Sequence, residues 1–148
     1  MTRKAYIPLA AGLPGILGLL PLFGAAGLFA WGKPDQAGVA LLTLLTYSAV
    51  SLTFAGAARW GFEASRDHPR LSIMAGASLA PLAGWLMLVA PIQQTQWQLG
   101  GFIALFLLQW LWDLASKNLP PWWAPLRTAI TVGAVLALGV AMGTALQA

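Results

Sequence analysis

The sequence predicts an all-α polytopic membrane protein, a single bundle of five transmembrane helices. Three observations carry that expectation. Only 8% of residues are charged and 59% are hydrophobic, whereas roughly a quarter of an ordinary soluble domain is charged. The apolar residues fall into five long runs, at approximately 7–31, 37–60, 71–91, 97–115 and 122–146. The basic residues lie between these runs with a one-sided bias. A span needs about 20 residues, so 148 positions hold five helices and short connections as one domain, 1–148.

Runs of this length are helices because a backbone in lipid must satisfy its own hydrogen bonds, and a helix does so within one segment. The first run, 7–31, carries Pro8, Pro14 and Pro21 and follows Arg3 and Lys4. Its apolar stretch exceeds the core of a cleaved signal, about 7–15 residues, so it reads as a membrane helix kinked near Pro14 and Pro21. The second run is the most polar. Thr43, Tyr47 and Ser51 recur every four residues and share a face, with Thr46, Ser48 and Thr53 around them. Such hydroxyls either bond across helices or line a ligand site. The third run is interrupted at Pro81, where a kink is expected. It carries Gly76, Ala80 and Gly84 at the spacing of close helix contacts, as does "GVAMG" (139–143) in the fifth. Pro120 and Pro121 stop the fourth helix and start the fifth, since proline is tolerated in a first turn.

Five spans place the N-terminal tail, the 61–70 loop and the 113–122 corner on one side. That side holds Arg3, Lys4, Arg66, Arg70 and Lys117, with Arg59 and Arg127 at its helix ends, while Lys33 stands alone opposite. The positive-inside rule then makes the N-terminus cytoplasmic and the C-terminus external.

Composition removes several chemistries. There is no cysteine, and the one histidine, His68, has only Asp67 and Glu63 near it in sequence. No metal site and no cofactor are expected, and His68 reads as a solvated or hydrogen-bonded loop residue. A net charge of +4 without a long basic run indicates no nucleic-acid partner. No phosphate-binding glycine loop and no nucleophile–base–acid set is present. Acid–base catalysis would have to use Asp113 or Glu63, so no catalytic residue is assigned and the chain reads as a non-enzyme.

The basic rim collects Arg59, Glu63, Asp113 and Arg127, a candidate ligand or ion-pair cluster. It is either a polar pocket for an anionic headgroup or substrate, or a set of helix-end charges that pair and snorkel. Interfacial depth favours the second. Asp113 is free to cap the first turn of the last helix or to hold Arg59 or Arg127. Trp60, Trp110, Trp112, Trp122 and Trp123 form an interfacial belt at this level, with Trp31 and Trp97 in the opposite belt. Tyr47, Trp60, Trp85, Trp112 and Trp122 are the pocket or belt aromatics, and the deeper Trp85 is the better pocket candidate.

At "YSAVSLTFAGAARWGFE", "WLWD" and "LPPWWAPLRTAIT" the chain resembles a family of small bacterial inner-membrane proteins of unknown function, related to the transmembrane protein 69 family of animal mitochondria. The resemblance covers nearly the whole chain and marks Tyr47, Gly56, Trp60, Gly61, Asp113, Pro121, Trp122, Arg127 and Thr131. It implies a bacterial inner-membrane address and a five-helix layout, and no particular activity. The tryptophan-rich sensory proteins, which have five helices and bind porphyrins and sterols, are similar only in helix count and tryptophan content. Their Trp-Pro-Pro signature follows the first helix, whereas the double proline here precedes the fifth.

The leading expectation is a non-enzymatic accessory or assembly partner of a membrane complex, because short loops leave mainly lipid-facing helices and thin rims. Its partners would be the lipid bilayer and another membrane protein or a second copy. The alternative is binding, sensing or transport of a small amphiphile, a quinone, lipid or porphyrin. Its pocket would lie at the cytoplasmic end between the second, fourth and fifth helices, lined by Tyr47, Trp60 or Trp122.

Overall fold

The structure, a computed structural model, describes residues 6–91, 93–116 and 119–147, and all regular elements among them are helical. The first apolar run forms two pieces, α1 (Leu9–Leu17) and α2 (Leu20–Trp31). After a short 3-10 turn, Pro34–Gln36, come α3 (Ala37–Ala64), α4 (Leu71–Val89), α5 (Thr95–Leu114) and α6 (Trp123–Ala145). These make the five rods of a helical membrane bundle, with α1 and α2 as one broken rod. Four stretches are long and apolar enough to cross a bilayer: Leu9–Trp31, Pro34–Ala64, Leu71–Val89 and Trp123–Ala145. The remaining rod, α5, has 20 residues but is diluted by Gln96, Gln98, Gln109 and Asp113.

Those polar residues do not displace α5 from the bundle, because its inward face is apolar. Leu99, Phe102 and Phe106 are fully buried and meet Leu22 and Ala26 of α2, Leu44 and Leu52 of α3, and Ala134 and Leu138 of α6 in one core cluster. The alanines on α6 leave room for the phenylalanine rings. Outward faces carry Leu28, Val50, Phe54, Leu79, Leu108 and Leu136, all exposed. Apolar surface on this scale is not stable in water, so the protein is membrane-embedded.

Close approach is organised by glycine. A Cβ on Gly56 of α3 would stand 2.5 Å from the carbonyl oxygen of Ala77 on α4, and one on Gly84 would meet the Ala49 backbone at 3.3 Å. The small-residue face of α4 is therefore used inside the bundle. Gly139 and Gly143 on α6 face open space instead.

The helices differ from expectation in three ways. The first rod breaks at Gly18–Leu19, where Gly18 still donates four residues back to Pro14 but Leu19 donates three back to Ile16 in a tighter turn. Pro21, which has no N–H, cannot continue the ladder to Leu17. Pro14 and Pro81 stay inside continuous helices. Second, α3 runs one turn past residue 60, through Glu63, because nothing after Gly61 breaks it before the 65–70 loop. Third, the hydroxyls of Thr43, Thr46, Ser48 and Thr53 donate to carbonyls four residues back on α3 itself. These are local back-bonds, not cross-links between helices.

The glycine contacts generate a contrast. Gly56→Ala should lower the stability of detergent-solubilised protein by about 1–3 kcal/mol, the usual cost of forced overpacking. Gly139→Ala should leave the thermal midpoint unchanged, and equal losses for both would contradict the packing.

Candidate functional site

The basic rim is built from three helix ends. Arg59 stands near the end of α3, Asp113 in the last turn of α5, and Arg127 in the second turn of α6. Alternating rod directions bring them to one level. Asp113 is 1% exposed, with Arg59 at 4% and Arg127 at 5%. Oδ1 of Asp113 accepts from Nη1 of Arg59 at 3.2 Å, and Oδ2 from Nε of Arg127 at 2.8 Å. Two guanidiniums thus share one carboxylate. Arg59 has further support: its Nη2 donates to Oγ of Ser116, and its guanidinium carbon lies 4.3 Å from the centre of the Trp112 ring. Ser116 in turn donates to the Trp112 carbonyl. Arg127 has less, namely the ring of Trp123 at 5.9 Å.

Glu63 belongs to a neighbouring cluster. Its Oε1 accepts from the backbone N–H of Arg70 at 2.9 Å and from Nε of Arg70 at 2.8 Å, and its Oε2 accepts from Nη2 at 2.9 Å. Arg66 Nε adds a contact at 3.2 Å. This bidentate carboxylate closes the α3–α4 loop and raises Arg70 above its ordinary arginine value. The rods are also tied at both ends: Trp110 donates to Thr128 across α5–α6, and Gln98 to the Met87 carbonyl across α4–α5.

Three cavities adjoin this framework. A polar one of about 410 Å³ is lined by Arg59, Glu63, Arg66, Arg70, Trp112 and Ser116, whose charged groups are already engaged. A small apolar groove of about 300 Å³ runs past Gly76, Leu105, Gln109 and Trp112. The largest, about 440 Å³, opens between α1–α2, α3 and α6. Its walls are mainly hydrocarbon, including Leu22, Val50, Phe54 and Ile130, and Tyr47 and Ser51 add hydroxyls. One end is formed by Trp122, Trp123 and Arg127. There, Nε1 of Trp123 and Nη2 of Arg127 are buried without a hydrogen-bond partner among the described residues. Oγ1 of Thr131 is likewise unpartnered, and positions 123, 127 and 131 share a face of α6. An unmade bond to a buried donor costs about 1–3 kcal/mol, more when it is charged, so each of these atoms would gain from an acceptor. Among the described residues no group of three or more His, Asp or Glu could hold a metal ion.

Arg59, Asp113 and Arg127 therefore come together, while Glu63 pairs elsewhere. Tyr47 and Trp122 line the large cavity, and Trp112 supports Arg59. Two candidates are corrected as pocket aromatics. Trp85 is 57% exposed and Trp60 46%, and neither lines any of these three cavities. Gly84 and Arg59 are the inward residues of their turns, so the next position, about 100° further round, faces out. The cavity lies against the first, second and fifth rods, and the fourth, expected as a full wall, contributes Phe106. Lys117, Arg3 and Lys4 lie outside the described residues. The site residues not anticipated are Ser116, Arg70 and Trp123. The first two act from loops through hydrogen bonds that no spacing marks. Trp123 was readable only as a belt residue, since its burial is set by how α6 packs on its neighbours.

Fold and site together define an α-helical membrane protein with a buried Arg–Asp–Arg cluster beside an apolar cavity. Residues 7–143 match the model of a family described as protein of unknown function (DUF3429), and the chain belongs to that family. No curated protein and no solved structure matches it.

Asp113→Ala would strand two buried guanidiniums. It should cost about 3–5 kcal/mol, the range for breaking a buried ion pair from one side. Glu63→Gln, beside a half-exposed Arg70, should cost less; the reverse order in thermal unfolding would contradict the assignment.

Proposed function

We propose that this protein binds a small amphiphile from the bilayer, in the cavity between α1–α2, α3 and α6. One observation carries the reading: a cavity of about 440 Å³ with hydrocarbon walls is lined by Trp123 and Arg127, each of which holds a buried donor without a partner among the described residues. Ligand sites share that pattern, an apolar enclosure of roughly 300–1,000 Å³ with a few converging polar groups. The ligand is held without being converted, and the protein acts by presenting or storing it. The proposal places the protein in a bacterial inner membrane, with the N-terminus and the Arg59–Asp113–Arg127 level on the cytoplasmic side. That orientation rests on the bias of basic residues to the 61–70 loop, the 113–122 corner and the N-terminal tail. The kinship with the transmembrane protein 69 family of animal mitochondria belongs to the same proposal.

Native mass spectrometry of protein purified gently in a nonionic detergent should show a co-purifying amphiphile. Ala58→Leu, which adds bulk at the cavity wall without touching the ion cluster, should remove that mass while keeping the thermal midpoint. Retention of the ligand by this variant would defeat the proposal. For orientation, the absence of native cysteine allows single-cysteine labelling. Ser65→Cys should resist a membrane-impermeant maleimide in intact cells and react after lysis.

A further inference from the structure

We infer that the headgroup of the bound amphiphile is an anion, whose carboxylate or phosphate oxygen sits between Nη2 of Arg127 and Nε1 of Trp123. The inference rests on the reading of the cavity as an amphiphile site and specifies what that site selects.

The argument begins with charge. Arg59 and Arg127 are both buried, and among the described residues Asp113 is the one carboxylate bonded to either. Of the other acids at this end, Glu63 has its oxygens taken by Arg70 and Arg66, and Asp67 lies in the 65–70 loop and lines none of the three cavities. The buried trio therefore carries one positive charge in excess. Arg59 has Ser116 and the Trp112 ring beside its bond to Asp113, and it holds no buried atom without a hydrogen-bond partner among the described residues. The deficit falls on Arg127, whose Nη2 has no partner among the described residues. Arg127 lines the large cavity and not the polar one.

Surroundings select the same class. Trp123 contributes a second unpartnered N–H at the same end, and an indole nitrogen only donates. No carboxylate lines the cavity, so nothing there would hold a cationic head. A hydroxyl head could accept one bond but would leave the charge excess in low-dielectric surroundings, where burying an uncompensated ion is expensive. An anionic oxygen accepts from both donors and neutralises the excess, and charge-assisted bonds of this kind are about twice as strong as neutral ones. The chain of the ligand then runs along Leu22, Val50, Phe54 and Ile130 toward the bilayer. Asp113 is a positioning residue here, since it orients Arg127 through Nε and leaves Nη2 for the ligand.

The test titrates delipidated full-length protein in nonionic detergent with decanoate, decyl phosphate, decanol and decyltrimethylammonium, read by native mass spectrometry. Decanoate or decyl phosphate should bind at least about tenfold tighter than decanol, with the ammonium weakest; the stronger anion identifies the head. Arg127→Gln should bring anion affinity down to that of decanol while decanol binding persists. Trp123→Phe, which keeps the ring and removes the N–H, should lower anion affinity severalfold and serves if the arginine variant fails to fold. Equal binding of decanol and both anions by the wild type would overturn the headgroup inference and leave the cavity reading standing. Binding of none of the four would overturn both. Acetate or inorganic phosphate binding as tightly as the decyl anions would show an anion site without an amphiphile and also overturn the inference.

Discussion

The carboxylate of Asp113 holds the bundle to one arrangement. It is the single acid between two buried guanidiniums on different helices, and it lies at the end of a third. None of these groups can be moved into hydrocarbon alone, because an unpaired charge there is far costlier than a lost hydrophobic contact. Helices 3, 5 and 6 therefore share one register at this rim, and sliding any one of them along its axis would separate an ion pair. The apolar core offers no such restriction, since Ala134, Ala137 and Ala141 present nearly interchangeable surfaces to the rings of α5. Packing supplies the enclosure, and the acid supplies the register.

Register in turn decides what each neighbouring residue does. With Arg59 inward, Trp60 faces out; with Trp123 and Arg127 inward, Trp122 stands at the cavity edge. Trp112 lies beneath Arg59 and also touches the position where a Cβ of Gly76 would stand. That contact links the ion cluster to the α4–α5 interface, so a substitution at Gly76 would press on the ring that supports the arginine.

The rods and the rim were legible because they follow from continuous physical quantities. Hydropathy accumulated over a span outlines a helix whatever its neighbours are, and alternating direction alone brings Arg59, Asp113 and Arg127 to one depth. Rotation about a helix axis was not legible in the same way. Apolar residues surround every rod, so hydropathy does not distinguish a core face from a lipid face, and Trp85, the better pocket candidate by depth, is 57% exposed. Only the small residues of α4 marked an inward face. The hydroxyls of α3 misled for a related reason. A threonine in hydrocarbon can satisfy itself on the carbonyl four residues earlier, and that choice leaves no sequence mark. Ser116 and Arg70 were invisible because they act from loops, through geometry and not periodicity. The break at Gly18–Leu19 needed two prolines read jointly: Pro14 and Pro21 each remove a donor, and the residues between them absorb the change in direction.

That break gives the first rod two mechanical parts. Among the described residues α1 contains no buried position, whereas α2 buries Leu22, Ala25 and Ala26 in the core. The carbonyl of Leu17 faces Pro21 and has no amide to bind it, so the ladder that would transmit stiffness from α2 to α1 is cut there. Ala10, Ala11, Pro14 and Gly15 nevertheless form part of the large cavity's wall. One side of that chamber is thus a short, lightly anchored segment, while the opposite side is the rigid α6. For the proposed amphiphile, α1 is therefore the wall with the fewest anchors to displace, and that wall faces the acyl chains and not the water.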